Sequence, residues 1–441
     1  MTTASPARPA EDVLLVAQAL MRIDTTNAGD GQGPGERTAA EYAAGLLTDA
    51  GLRPEVLEPE PRRANVVTRW AGVDRSRPPL LVHGHLDVVP AQAADWTIPP
   101  FAGEVVDDVL WGRGCVDMKQ FIAQLLAVVA RRQREGRPPA RDVVMVFTAD
   151  EEHTGERGAL WLVREHPEIF EGIVEAVGEG GGFSVPLPNG RRLYSLSTGE
   201  KGMLWTRVTA GGRAGHGSMV NHENAVTRLA QAVARVGAHQ FGDDLTPTVR
   251  AMLRVLAEEL GVDEETALRQ PEQLVAALGP TLADDMRATF RHMLNPTVLE
   301  AGYKSNVIPG HASAVLDGRF LPGREEEFLA TVDELLGEHV TRETIWYDPA
   351  FEGPVDGPLF NAIAQSLCDT DPGGRVMPNL DIGGTDAKAF ITLGIQSYGW
   401  TPLRLPADLN YSEMFHGIDE RVTGDALRFG VDAFDRLLDL V

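Results

Sequence analysis

Apolar residues recur at helical spacing over residues 11–23, where Val13, Leu14, Ala17 and Leu20 share a face. A Gly-rich loop over 27–36 follows, then a second amphipathic helix over 38–50 with Gly51 as its C-terminal cap. Strands and helices then alternate: a strand over 80–82, a helix over 121–131 with Leu125, Leu126 and Val129 on one side, and strands over 143–147 and 173–177. These strands are apolar along their whole length, as strands covered on both faces are. The pattern therefore predicts an α/β fold, a mainly parallel mixed sheet with helices on both faces.

Near Arg191 the pattern changes. Residues 203–210 alternate like a half-exposed strand, 222–236 form an amphipathic helix with Val226, Leu229, Val233 and Val236 together, and 312–320 form another strand. This predicts a smaller α+β domain inserted into the first. The stretch 245–299 is charged and helical, broken by Pro247, Pro271 and Pro280, and is expected to elaborate the inserted domain. After Gly323 come a helix, a strand over 345–347, a helix over 359–367 and a last helix ending at Val441. The expected division is a catalytic part over 1–195, an inserted domain over 196–322 carrying the 245–299 insertion, and a second catalytic part over 323–441.

A chain of 441 residues is long for a single core, which agrees with two domains. Hydrophobic residues are 43% and charged residues 24%, the mix of a soluble globular protein. With 40 basic against 64 acidic residues the net charge is −24, which argues against nucleic acid or an anionic membrane as a partner and is compatible with sites that hold cations. The two cysteines, Cys115 and Cys368, make no disulfide framework and suit a reducing compartment. Residues 1–12 hold no apolar stretch of the signal-peptide kind, and no run approaches the ~20 apolar residues of a membrane span, so a cytoplasmic location is the expectation.

Five segments carry candidate chemistry. His85 and Asp87 lie just past the first buried strand, where open α/β sheets bind ligands. Two apart on an extended chain, they can face the same way, the carboxylate accepting from the imidazole or approaching the same metal. A satisfied polar turn is the plainer reading. Asp117 stands before the next helix, where a capping carboxylate needs no metal. Asp150, Glu151 and Glu152 follow the strand over 143–147. Such a cluster is costly unless a cation or water is close, and otherwise reads as a solvated loop. Two adjacent glutamates can divide labour, one on a metal and one taking a proton from water there. Glu179 precedes Gly180-Gly181-Gly182 after a further strand, and His416 stands near the C-terminus. A flexible turn and a structural histidine are the plainer readings of these two. Together the five segments put two imidazoles and three carboxylates at strand ends and a helix start, a donor set that suits zinc, and also cobalt or manganese.

With these motifs in this order, the sequence resembles the co-catalytic zinc peptidases and deacylases: glutamate carboxypeptidase, carboxypeptidase S, aminoacylase, acetylornithine deacetylase and succinyl-diaminopimelate desuccinylase. The likeness runs from Asp24-Thr25-Thr26-Asn27 to His416. It implies a zinc-exopeptidase type of fold with an inserted lid domain. It implies two Zn2+ per chain, with Co2+ or Mn2+ as substitutes. His85 would bind one zinc, Glu152 one and Glu179 the other, His416 would complete the second site, Asp117 would bridge them, Asp87 would orient His85, and Glu151 would be general base and acid. It further implies that His216, in Gly215-His216-Gly217-Ser218, steadies the oxyanion, and that Asn306 and Arg319 grip the substrate. Gly383, Gly384 and Thr385 would lie near the substrate carboxylate. Lid closure about a hinge near Thr198 and Pro322 is expected, and the family often dimerises through the lid. The substrate implied is a small amide next to a free carboxylate. Glu179, where peptidases more often carry Asp, leans toward N-acyl amino acid deacylation over the dipeptidase or carboxypeptidase alternative. A catalytically dead relative that binds a carboxylate ligand or a partner is the remaining reading. Gln120 departs from the family's usual Gly, which predicts a packing change and no lost ligand.

Overall fold

The computed structural model describes residues 11–29, 31–187 and 189–441. The chain divides into two compact units, residues 1–197, 353–378 and 385–441 forming the first and residues 198–352 and 379–384 the second.

In the first unit the sheet runs Glu55–Glu60, Arg63–Trp70, Val143–Thr148, Leu80–His85, Glu175–Gly178, Gln396–Gly399 and then Arg192–Glu200, whose last residues pass into the second unit. Its centre is parallel: Leu80–His85 pairs with Val143–Thr148 and Glu175–Gly178, and Glu175–Gly178 with Gln396–Gly399. The strand Leu80–His85 is buried throughout, because both faces are covered. Leu80 and Val82 point to a core shared with helices Val13–Met21, Arg37–Asp49, Lys119–Glu135 and Gly424–Leu440, while Leu81 joins Val144, Val146, Leu162 and Phe390 on the other side. Each large apolar side chain buried this way contributes about 1.5–3 kcal/mol. The four parallel strands run in one direction, so the loops after them share one edge.

A small three-stranded sheet, Glu104–Val106, Val109–Trp111 and Arg421–Thr423, ties the segment around His416 to the loop that leads into Asp117. Gly112 N–H donates to the Glu420 carbonyl at 3.0 Å in the same junction.

The second unit holds a four-stranded antiparallel sheet in the order Met293–Ala301, His311–Phe320, Gly202–Gly211, Val340–Asp348. Helices Ala225–Ala238 and Glu325–Leu336 cover it through Leu229, Ala232, Phe328 and Val332. Asn224 starts the first of these, its side chain accepting from Val226 and Thr227 N–H.

Two expectations change here. The boundary near 322 moves to Glu352, because Val340–Asp348 bonds to Gly202–Gly211 along its length and cannot leave that sheet. The stretch 245–299 is helical only as far as helix Pro280–Ala288, after Pro247–Leu260, Glu264–Arg269 and Pro271–Ala276, and it closes as the edge strand Met293–Ala301. No helix among the described residues is long and apolar enough to cross a membrane.

Candidate metal centre

His85 ends its strand and aims Nε2 at Asp117 Oδ1, 2.9 Å away. Its Nδ1 bonds the Asp87 backbone carbonyl at 2.9 Å, and the nearest Asp87 carboxylate oxygen is 3.5 Å off. The Asp87 carboxylate has another task. Its Oδ1 accepts from Glu151 N–H at 3.2 Å, and its Oδ2 from Glu152 N–H at 3.1 Å and Asn27 Nδ2 at 2.9 Å. Asp87 thus orients His85 through its main chain and clamps the Glu151–Glu152 backbone through its side chain.

Asp117 does not cap the helix that follows. The cap position belongs to Met118, and no side chain bonds there. The Asp117 carboxylate is turned instead between two imidazoles, Oδ1 toward His85 and Oδ2 at 3.3 Å from His416 Nε2. His416 Nε2 also lies 3.0 Å from Glu152 Oε2, and His85 Nε2 lies 3.8 Å from Glu179 Oε1 and 3.9 Å from Glu151 Oε2. Two groups result, His85 with Asp117 and Glu179, and Asp117 with Glu152 and His416. In each, the candidate ligand atoms lie within 4.8 Å of one another. Asp150 and His416 both hold left-handed backbone (φ 65° and 56°), a conformation non-glycine residues keep only where the surroundings enforce it.

The electrostatics of this cluster call for cations. Burial pushes the Glu151 carboxyl well up, and Glu179 beside it adds to the effect. Burial does the same to Glu179 and Glu152, each raised further by Asp117. Burial opposes the charge on Asp117 too, but bonds from His416 and His85 outweigh it and hold this carboxyl below the usual range. His416 is pushed up to about 10 by its bonds to Asp117 and Glu152. Glu152 Oε1 and Glu179 Oε2 are buried and without a protein partner. Carboxylate oxygens left in that condition beside two imidazoles fit divalent cations of the zinc, cobalt or manganese kind.

A second layer of polar residues supports the cluster, and the sequence reading assigned it no role. Asn27 Nδ2 bonds Asp150 Oδ1 at 3.0 Å as well as Asp87, and Arg63 Nη2 reaches Asp150 Oδ1 at 3.0 Å and Glu36 Oε1 at 2.8 Å. Burial lifts the Glu36 carboxyl to about 8. Thr148 Oγ1 donates to Asp386, whose carboxyl burial lifts to about 7. Glu420 pairs with Arg113 and accepts from Gly114 N–H at 2.7 Å, joining the two loops that bear His416 and Asp117. Lys119 Nζ donates to the Ile23 carbonyl at 2.7 Å. Asn27 and Asp150 lie inside the segments already singled out, and Lys119, Asp386 and Glu420 lie next to them in the chain, but only the fold shows what they touch. Gln120 folds its amide back onto the Val116 carbonyl at 3.0 Å and leaves the ligand positions intact.

The other expected residues have these places. His216, Asn306, Arg319, Gly383 and Gly384 belong to the second unit, and Thr385 to the first. His216 is exposed, with Nδ1 2.9 Å from Ser218 Oγ, and Asn306 is exposed in a turn. Arg319 pairs with Asp317 through Nε at 2.7 Å and Nη2 at 3.1 Å. Gly383 N–H donates to Asp381 at 3.0 Å, and Thr385 Oγ1 accepts from Ala387 N–H at 3.1 Å.

Two cation-sized groups sharing one carboxylate, at the carboxyl edge of a mainly parallel sheet, are the arrangement of a metal-dependent hydrolase. The chain belongs to peptidase family M20/M25/M40, whose pattern residues 81–440 match. It is 29% identical over 395 residues to probable carboxypeptidase S-like 2 of Dictyostelium discoideum, covering 85% of this chain and 74% of that one. To aminoacylase-1 of Homo sapiens it is 27% identical over 446 residues, covering 99% and 97%. The crystal structure of the M20 family metallo-carboxypeptidase Sso-CP2 from Sulfolobus solfataricus shares the fold with a TM-score of 0.74 at 18% identity, covering 97% of this chain and 99% of that one.

Proposed function

We propose that this metallohydrolase cuts the amide bond of an N-acyl amino acid with two zinc ions and Glu151 as the proton carrier. The observation behind the reading is the shared Asp117 between two three-residue groups, with the Glu151 carboxylate 3.9 Å from His85. The substrate choice is supported by Glu179 at the position where deacylases more often carry Glu, and by likeness to aminoacylase-1 over nearly all of both chains.

When bound, the cations supply Lewis acidity, lowering the pKa of water from ~15.7 toward ~7 and polarising the amide carbonyl. His85 and Glu179 would hold one, Glu152 and His416 the other, and Asp117 would serve both. Glu151 takes the proton of the attacking water and delivers it to the leaving amine. Asp87 fixes the Glu151 main chain during both transfers. His216 as oxyanion donor, Asn306 and Arg319 as substrate grips, and Gly383, Gly384 and Thr385 near the substrate carboxylate belong to the same reading. So do a homodimer through the second unit and a cytoplasmic location.

The test is a panel of N-acetyl amino acids and dipeptides, assayed with zinc or cobalt added and after chelation. Preferred hydrolysis of N-acetyl amino acids, lost on chelation and restored by metal, is the expected result. Preference for dipeptides would favour the carboxypeptidase reading that the Dictyostelium relative supports, and active metal-free protein would end the proposal.

A further inference from the structure

The antiparallel register that sets Val66 opposite Phe147, continued past that last bonded pair, brings Arg63 level with Asp150. The start of the strand Arg63–Trp70 therefore grips the run that leads to Glu151. Asn65 Oδ1 accepts from Ala149 N–H at 2.9 Å, and Arg63 Nη2 donates to Asp150 Oδ1 at 3.0 Å. Asp150 keeps its left-handed backbone, φ 65°, immediately before Glu151, and its Oδ2 accepts from Arg157 N–H at 3.2 Å. On the other side of this turn the Asp87 carboxylate accepts from Glu151 N–H.

Asn27 joins the two carboxylates. Its Nδ2 carries two hydrogens, and they go to Asp87 Oδ2 at 2.9 Å and Asp150 Oδ1 at 3.0 Å. Asn27 is aligned in turn, its Oδ1 accepting from Gly29 N–H at 3.1 Å and lying 3.5 Å from Arg63 Nη1. Asp87 and Asp150 thus meet at Asn27, and Asn27 and Asp150 meet at Arg63.

Arg63 is itself fixed from behind. Its guanidinium is buried, and the Glu36 carboxylate, fully buried, lies 2.8 Å from the same Nη2. Glu36 directly precedes the helix Arg37–Asp49, so the series of contacts starts on a regular element. A planar guanidinium held between two carboxylates has little freedom, whereas a lysine ammonium would keep the charge and lose the fork.

We propose that Arg63 is a positioning residue for proton transfer, fixing through Asp150 and Asn27 where the Glu151 carboxylate stands. The inference rests on Glu151 as the proton carrier and adds the residue that aims it. A displacement of about 1 Å in such a group costs about 10²-fold in rate.

The experiment measures kcat and KM for the best-hydrolysed N-acetyl amino acid with zinc supplied. It compares Arg63→Lys and Asn27→Ala in the wild-type background and in Glu151→Gln, with metal content and thermal unfolding checked for each. In the wild-type background either substitution should lower kcat about 10- to 100-fold, with KM changed less than about twofold and metal content retained. In the Glu151→Gln background the same substitutions should change kcat less than about twofold, because the group they aim is gone. Asn27→Ala leaves the Arg63 ion pairs in place, so it carries the test if Arg63→Lys does not fold. An unchanged kcat in folded, metal-loaded variants overturns the proposal and leaves the hydrolase reading standing. Equal losses in both backgrounds show that Arg63 serves something other than Glu151 and overturn it too. Loss of metal assigns the network to holding the cations, and failure of both variants to fold assigns it to stability; either result overturns it. Near-normal turnover of Glu151→Gln alone removes the proton carrier and this inference together.

Discussion

His416 Nε2 lies 3.0 Å from Glu152 Oε2, although the two residues stand on loops far apart in the chain. Asp117 completes their group and also belongs to the group of His85 and Glu179. His416→Ala should therefore remove one cation and leave the other, lowering the metal content from about two per chain to about one. Asp117→Ala should disturb both. Elemental analysis of gel-filtered protein checks this, and full loading of the His416 variant would contradict the two-site arrangement.

Glu151 is set apart from the two groups but lies within 3.9 Å of His85, and its main chain is clamped by Asp87. Glu151→Gln should keep the fold and the bound metal and lose about 10²–10⁴-fold in kcat, the usual worth of a positioned proton carrier. Steady-state kinetics beside metal analysis separate the two effects. Near-normal turnover would strip Glu151 of its role.

Metal loading should depend on pH in a definite direction. Without cations His416 is pushed up to about 10, so at pH 7 its ring is protonated, and burial raises the proton affinity of the Glu151, Glu152 and Glu179 carboxyls beside it. A cation must expel the proton on His416 before that nitrogen can bind it. From about pH 10 downward, apparent affinity should fall about tenfold per unit for each proton released. Calorimetric titration with zinc in two buffers of different ionisation enthalpy counts the protons, and a count of zero would refute the coupling.

The Arg113–Glu420 pair is buried and joins the loops that carry Asp117 and His416. Glu420→Ala leaves Arg113 without its partner and frees Gly114 N–H, a loss of about 3–5 kcal/mol for a broken buried pair. Denaturant unfolding gives the magnitude. The same variant should hold less metal, because the two loops lose their bond, and an unchanged stability and metal content would show the pair to be idle.

The candidate ligand positions were legible only as a set, since each segment alone had a plainer reading. Leu80–His85 and Val143–Thr148 are buried strands, and His85 and the acidic run after Thr148 stand at their ends, where the donor types add up with Asp117, Glu179 and His416. The support behind them is long-range and left no such signal. Nothing near Arg63 in the chain predicts that it meets Asp150 and Glu36 together. The strand Met293–Ala301 escaped for another reason. It lies at a sheet edge, is exposed over most of its length and contains Pro296, so neither alternation nor propensity marks it. Val340–Asp348 showed only its apolar centre around Ile345, which hid its pairing with Gly202–Gly211 and displaced the domain boundary.

The strand Gln396–Gly399 runs parallel to Glu175–Gly178 and also bonds Ser197, in the interior of the first sheet. During synthesis the growing polypeptide must therefore hold an unfilled slot between Glu175–Gly178 and Arg192–Glu200 until residues beyond Gln396 emerge from the ribosome. Pairings of such long sequence separation slow folding and leave strand edges open to wrong partners. A nascent chain arrested before that strand should be a chaperone client that lacks both the strand and the segment around His416.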